Sequence, residues 1–133
     1  MAGEFTGGCL CGAVRYAANE LKGAGYCHCR MCQRASGAPV VAWCAARLAA
    51  FAWTKGEPKE YRSSPKSFRI FCGECGAQLG IRSAEASTEM DLNLATLDHP
   101  EDIAPRYHIY TASQLPWLHI ADDLPRYPGE RIG

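Results

Sequence analysis

Clustered cysteines constrain this chain more than any other feature of its sequence. Seven of its eight cysteines fall into three short segments, with the spacings CxC, CxCxxC and CxxC. Such spacings hold sulfur atoms close enough to share one metal ion. The segments are CLC at positions 9–11, CHCRMC at 27–32 and CGEC at 72–75. The clusters therefore predict metal binding, with disulfides or unliganded thiols as the alternative.

The seven cysteines divide most economically into two sites. The outer clusters together offer the four thiolates that close a tetrahedral zinc site, namely Cys9, Cys11, Cys72 and Cys75. The middle cluster offers only three, namely Cys27, Cys29 and Cys32. A site with three protein ligands leaves one coordination position for water or an incoming thiol. We therefore expect a structural zinc and a second zinc that is open to a ligand.

Strand geometry predicts how the side chains of the CxC segments point. Consecutive strand residues alternate between faces, so Cys9 and Cys11 should point the same way while Leu10 faces the core. By the same alternation, His28 should point away from its flanking cysteines, as a residue beside the site or on the surface.

Other ligand sets for the middle cluster remain open. His28 itself could bind the metal, or a side chain from elsewhere could close the site. The candidates from elsewhere are His99, His108, His119, Asp91 and Asp98. An iron–sulfur cluster is a further chemical alternative.

Length and charge narrow the class of protein. A chain of 133 residues, 47% of them hydrophobic, fits a single domain over positions 1–133. Its 14 basic and 14 acidic residues give no general attraction to nucleic acid or anionic lipid. The first residues, MAGEFTGGCLCG, contain no basic segment followed by an apolar run, which favours a cytoplasmic protein without membrane association.

Frequent glycine and proline residues predict short strands rather than long helices. The predicted strands cover residues 13–17, 39–45, 68–71, 78–82, 90–95 and 107–110. The only good helical stretch is RMCQRA at 30–35, and it should end at Gly37. The eighth cysteine, Cys44, falls within the apolar strand PVVAWCA and is expected to be a small buried hydrophobe. The chain is therefore predicted to be mainly β with one short helix.

Several segments in combination resemble the glutathione-dependent formaldehyde-activating enzyme family, which also includes centromere protein V. They include GGCLCGAVRY at 7–16, YCHCRMCQRASG at 26–37, FRIFCGECGAQLG at 68–80 and LPRYP at 124–128. The resemblance implies a β-tent fold, in which short antiparallel sheets are held by a structural zinc. It also implies two zinc ions per chain. The structural ion would be held by Cys9, Cys11, Cys72 and Cys75, and the other by Cys27, Cys29 and Cys32.

The same resemblance implies an activity. It is a carbon–sulfur lyase type of reaction, in which formaldehyde and glutathione form S-hydroxymethylglutathione at the zinc held by Cys27, Cys29 and Cys32. Arg15, Arg30 and Arg34 are candidates for binding the carboxylates of glutathione, because guanidinium pairs well with carboxylate. The partners would be glutathione or another small thiol and a small electrophile, and a homodimer is compatible with the family.

Two other functions are compatible with the resemblance. A non-catalytic, zinc-stabilised binding module or glutathione carrier would have a similar sequence. Chromatin association, by analogy with centromere protein V, is disfavoured by the balanced charge and the lack of a basic tail.

Overall fold

The computed structural model describes residues 4–131, which form two sheets and one short α-helix. The smaller sheet has the order β1-β2-β5, with β1 at Phe5–Gly8, β2 at Arg15–Ala18 and β5 at Phe51–Lys55. The larger sheet has the order β10-β3-β4-β9-β8-β7-β6. Its strands are β3 at Leu21–Cys27, β4 at Val41–Arg47, β6 at Lys59–Ser64, β7 at Ser67–Phe71, β8 at Gln78–Ser83, β9 at Glu89–Asn93 and β10 at His108–Ile109. The predicted mainly β class is confirmed.

All strand pairs are antiparallel except one. β10 pairs with β3 in parallel, so that His108 lies opposite Tyr26. Single 3₁₀ turns lie at Leu48–Ala50, Leu94–Thr96, Pro100–Asp102 and Thr111–Ser113. No helix within residues 4–131 is long and apolar enough to cross a membrane.

Six of the strands correspond to predicted ones, and four were missed. The missed strands are β1, β3, β5 and β6. In β3 the sequence LKGAGYC contains two glycines, and the ladder is irregular between Lys22 and Gly25. β6 is a polar strand at the edge of the sheet, where most of its residues are exposed. Neither strand has the alternating or apolar pattern that identifies half-buried strands.

The main core lies between the two sheets. Tyr16 of the smaller sheet and Leu79 and Leu92 of the larger sheet are fully buried there. Phe51 and Trp53 pack against Tyr16 with ring centroids 5.6 and 6.0 Å away, respectively. Cys44 is 1% exposed in the same core, as predicted for a small hydrophobe. A smaller cluster, formed by Cys27, Cys32, Val41 and Trp43, lies beneath the single helix.

The helix, α1, runs from Arg30 to Ser36, close to the predicted 30–35. It begins at Cys29, whose sulfur accepts a hydrogen bond from the backbone N–H of Cys32 at 3.2 Å. It ends at Gly37, which has the left-handed backbone (φ 74°) common at helix ends and donates its N–H to the carbonyl of Gln33. A cysteine thus takes the place that serine, threonine or aspartate commonly occupies at a helix start.

Candidate metal centres

The two outer cysteine segments meet at the junction of the sheets. Cys9 and Cys11 lie in the connection between β1 and β2, and Cys72 and Cys75 lie in the turn between β7 and β8. All four sulfur atoms lie within 4.8 Å of one another. The Cys9 to Cys11 and Cys11 to Cys72 sulfur distances are 3.7 and 3.8 Å. This four-cysteine cluster therefore joins a turn of one sheet to a turn of the other.

Backbone N–H groups point at the sulfurs of this cluster. Val14 donates to Cys9 Sγ at 3.2 Å, and Glu74 and Cys75 donate to Cys72 Sγ at 3.3 and 3.4 Å. Gly76 allows the chain to turn here, because its φ of 77° is unfavourable for other residues. Such N–H bonds stabilise thiolates, and the backbone amides of Ala77 and Cys11 lower the pKa of the Cys75 thiol to about 6.

The predicted orientation of Leu10 was wrong. Leu10 is 89% exposed and does not face the core. The segment from Cys9 to Val14 is a turn rather than a strand, closed by bonds from Gly12 N–H to the Cys9 carbonyl and from Cys9 N–H to the Val14 carbonyl. Strand alternation does not apply in a turn. The sulfurs of Cys9 and Cys11 therefore converge because of this hydrogen-bonded turn.

The middle segment forms a second group of sulfurs. Cys27 ends β3, Cys29 caps α1 and Cys32 lies in its first turn, and their three sulfurs lie within 4.8 Å of one another. No fourth cysteine, histidine or carboxylate in the described part of the chain joins this three-cysteine cluster. None of the five candidates from elsewhere, nor His28, is therefore brought to it.

Within the three-cysteine cluster, contacts between the sulfurs shift the pKa values of the thiols in opposite directions. The thiols of Cys27 and Cys32 donate toward Cys29, which lowers the pKa of Cys29 to about 2, and the same contacts raise the pKa of Cys27. All eight cysteines are free of disulfides. Three converging cysteine sulfurs form the soft donor set that zinc accepts. Both clusters could hold metal ions.

His28 lies inside the protein and not on its surface. Its side chain is fully buried, and its Nε2 lies 2.8 Å from Nδ1 of His108. His108 is also fully buried, and its Nε2 lies 2.9 Å from a carboxylate oxygen of Asp122. The prediction that His28 is not a ligand agrees with this geometry, whereas a surface position for it was wrong. His108 is a hydrogen-bonded strand histidine.

The three-cysteine cluster borders a cavity of about 570 Å³, which we call the three-cysteine cavity. Trp43, Ile81 and Ile109 supply apolar wall, and Tyr107 and Tyr110 supply aromatic rings. Its charged lining residues are Arg30, Lys66, Arg69, Asp91 and Glu130. Desolvation, together with the nearby carboxylates of Glu89 and Glu130, raises the pKa of Asp91 to about 6. The cavity thus offers groups of both signs around the sulfurs.

The predicted arginines have different surroundings. Arg15 pairs with Asp98 through both terminal nitrogens, at 2.9 and 2.5 Å, and does not line the three-cysteine cavity. Arg30 lines it and donates to Gln33 at 2.7 Å. Arg34 lies one turn further along α1.

Sequence reasoning missed Arg69, which is only 7% exposed and whose Nη2 lies 3.8 Å from Cys32 Sγ. A charged residue within the otherwise apolar strand FRIF was the available signal.

The fold of this chain has a counterpart among solved structures. A crystal structure of a Rhodobacter sphaeroides protein superposes with a TM-score of 0.59 and 26% identity. The match covers 76% of this chain and 92% of that one, so it extends over nearly all of the solved protein. A search of curated proteins found no significant match.

The sequence model described as glutathione-dependent formaldehyde-activating enzyme matches residues 4–113. That span includes all seven clustered cysteines and both sheets. This chain therefore belongs to the glutathione-dependent formaldehyde-activating enzyme family.

Proposed function

We propose that this protein is a zinc-dependent carbon–sulfur lyase type of enzyme, which forms S-hydroxymethylglutathione from formaldehyde and glutathione. The observation that carries the proposal is the three-cysteine cluster, which borders a cavity and is joined by no fourth protein ligand within residues 4–131. Membership of the family supports glutathione and formaldehyde as the reactants.

The four-cysteine cluster would hold a structural zinc. Its ligands would be Cys9, Cys11, Cys72 and Cys75, which together fill a tetrahedral coordination shell. Because these cysteines come from turns of different sheets, the ion would fasten the sheets to each other. Metal binding there would contribute directly to folding free energy.

Cys27, Cys29 and Cys32 would hold the second zinc. When bound, the ion supplies positive charge that lowers the pKa of a thiol ligand, so that its sulfur is nucleophilic at neutral pH. Three thiolates outnumber the charge of one divalent ion. The guanidinium of Arg69, next to Cys32, offsets this excess negative charge.

The cavity residues would orient glutathione and take up its proton. Glu130 can pair with the ammonium group, and Arg30 or Lys66 can pair with one carboxylate. The raised pKa of Asp91 suits a carboxylate that accepts a thiol proton near neutral pH. The apolar wall at Trp43 and Ile109 limits water around the reacting sulfur. The sulfur would add to the carbonyl carbon of formaldehyde, and the proton taken from the thiol would pass to the carbonyl oxygen to give the hydroxyl group of the adduct. Catalysis would then consist mainly of placing the sulfur beside formaldehyde.

Metal analysis combined with glutathione titration tests this function. We expect two zinc ions per chain, calorimetric binding of glutathione, and adduct formation faster than the spontaneous reaction. Cys29→Ser should abolish the binding and the acceleration, whereas Cys44→Ser, a cysteine outside both clusters, should keep them. Two bound zincs without glutathione binding or acceleration would instead identify a non-catalytic module. Visible colour and bound iron would identify an iron–sulfur cluster.

We also propose that residues 1–133 act as a single domain in the cytoplasm. The eight free cysteines support this location, because a reducing compartment such as the cytoplasm keeps thiols available for metal. A homodimer is part of the same proposal and is tested by light scattering.

A further inference from the structure

A second cavity lies beside the three-cysteine cavity. It has a volume of about 390 Å³ and lies between α1 and strands β6, β7 and β8. We call it the arginine cavity, because it is lined by Arg34 and Arg69. Its other polar lining residues are Tyr61, Ser63 and Gln78. Nothing in the family match assigns this cavity a role.

The charges around the arginine cavity have one sign. Arg34 and Arg69 are its only charged lining residues among those the structure describes, and no carboxylate lines it. Arg34 takes part in none of the salt bridges found within residues 4–131. The guanidinium of Arg34, which has no acidic partner among the described residues, therefore adds a local positive potential that favours an anion.

Arg69 is incompletely satisfied. Its side chain is more than nine-tenths buried, and Nη1 has no hydrogen-bond partner in the described part of the chain. Nη2 lies near Cys32 Sγ, so the two ends of the guanidinium differ in their surroundings. Buried donors are rarely left unpaired, and a guanidinium fork matches the two oxygens of a carboxylate. Nη1 is therefore a donor that a carboxylate bound beside Arg69 can satisfy.

The two cavities share part of their lining. Met31 and Arg69 border both of them. The cavities are therefore adjacent, and a ligand whose sulfur is at the three-cysteine cluster would pass Met31 to place another group in the arginine cavity. A small thiol with a carboxylate at the end of a flexible chain has this form.

From these observations we propose that the arginine cavity binds a carboxylate of the thiol substrate, through Arg34 and Arg69. The proposal rests on the proposed function, since it takes the thiol to be bound at the three-cysteine cluster. It makes Arg34 and Arg69 substrate-binding residues, and it makes selection for carboxylate-bearing thiols a property of this cavity.

Calorimetric titration of the zinc-loaded protein with three ligands tests the proposal. Glutathione carries both thiol and carboxylates, S-methylglutathione keeps the carboxylates but blocks the thiol, and cysteamine has a thiol without a carboxylate. The variants are Arg34→Gln and Arg69→Lys. Arg47→Gln is the control, because Arg47 is an exposed arginine that lines neither cavity. Thermal unfolding and zinc content verify that each variant is folded.

We expect Arg34→Gln and Arg69→Lys each to weaken glutathione and S-methylglutathione binding about tenfold, the scale of one charge-assisted hydrogen bond. Cysteamine binding should change less than about twofold, and Arg47→Gln should resemble the unmodified protein. Arg34 is exposed on α1, so its variant tests the proposal even if Arg69→Lys does not fold.

The possible results separate this proposal from the proposed function. If glutathione binds better than S-methylglutathione but Arg34→Gln changes neither affinity, the carboxylate site is wrong and the thiol site stands. If the two ligands bind equally and both depend on Arg34, the carboxylate site stands and the thiol site fails. Equal weakening of glutathione and cysteamine by Arg34→Gln, or no binding of either glutathione ligand, overturns the carboxylate site.

Discussion

Nε2 of His28 lies 2.8 Å from Nδ1 of His108, and both rings are fully buried. Asp122, on the other side of the His108 ring, continues this chain of bonds. Its pKa is lowered to about 2 by the bond to His108, so it is an ionised acceptor at neutral pH. With a neutral His108 ring, donation from Nε2 to Asp122 leaves Nδ1 to accept a hydrogen bond from Nε2 of His28. Since His28 lies between Cys27 and Cys29, this chain of bonds ties the three-cysteine loop to the C-terminal segment.

Removing the His108 ring should destabilise the protein strongly. His108→Ala leaves a buried cavity and deprives His28 of its acceptor, which we expect to lower the free energy of unfolding by about 3 kcal/mol. Urea denaturation of the zinc-loaded protein measures this. His99→Ala is the control, because His99 is exposed, and it should change stability by less than about 0.5 kcal/mol. Equal effects of the two substitutions would contradict a structural role for the histidine pair.

The two cysteine clusters should respond differently to loss of one ligand. Cys72 is fully buried at the junction of the sheets, so Cys72→Ser should remove one metal ion and at least about 3 kcal/mol of stability. Cys29→Ser should remove the other ion and cost less than about 1 kcal/mol, because serine is itself a good residue at a helix start. Metal analysis and urea denaturation of both variants check this. Equal unfolding would show that the clusters do not divide structure and ligand binding in this way.

The ion pair of Arg15 and Asp98 should give an acid-dependent contribution to stability. Hydrogen bonds from Arg15 and Thr6 lower the pKa of Asp98 to about 2, below the usual range of an aspartate carboxyl group. A carboxyl group with a lowered pKa in the folded state stabilises above its unfolded pKa, and it loses that effect as pH falls toward 2. The pair is about one-third exposed, so solvent screening limits its contribution to about 1 kcal/mol.

Comparison of the unmodified protein with Asp98→Asn measures this contribution. The difference in unfolding free energy should be about 1 kcal/mol at pH 6 and should decrease progressively as pH falls from 4 to 2. Metal loss in acid affects both proteins, so the difference between them is the quantity to follow. A difference that stays constant over this range would show that Asp98 acts by another route than its charge.

Gly25 marks a close approach beside the three-cysteine cavity. A Cβ at this position would overlap the ring of Tyr107, whose hydroxyl donates to the Gly23 carbonyl at 2.8 Å. Gly25→Ala should therefore displace the ring and cost about 1–3 kcal/mol. Gly129→Ala is the matched control, because no heavy atom lies within 4 Å of its Cβ position. Thermal unfolding of both variants decides whether the glycine is required for this packing.

Local sequence spacing predicted part of this structure well. The mainly β class, the helix that ends at Gly37 and the convergence of Cys27, Cys29 and Cys32 follow from residues close together in the chain. The four-cysteine cluster joins segments 61 residues apart, and it was predicted by counting the ligands that a tetrahedral zinc needs. Leu10 was placed wrongly because the CLC segment forms a turn, which spacing alone does not distinguish from a strand. β3 was missed because Gly25 is required by contact with Tyr107, a residue distant in sequence. The burial of Arg69 and the His28 to His108 bond likewise depend on tertiary contacts.

β10 pairs in parallel with β3 on one side and bonds to the segment around Arg126 on the other, which brings residues from beyond the family-matched span to the three-cysteine cluster. Matching ends at residue 113, yet Asp122 supports the buried histidines and Glu130 lines the cavity. This wall of the cavity contains none of the seven clustered cysteines. Substitutions along it are therefore the direct route to altered thiol preference without altered metal content.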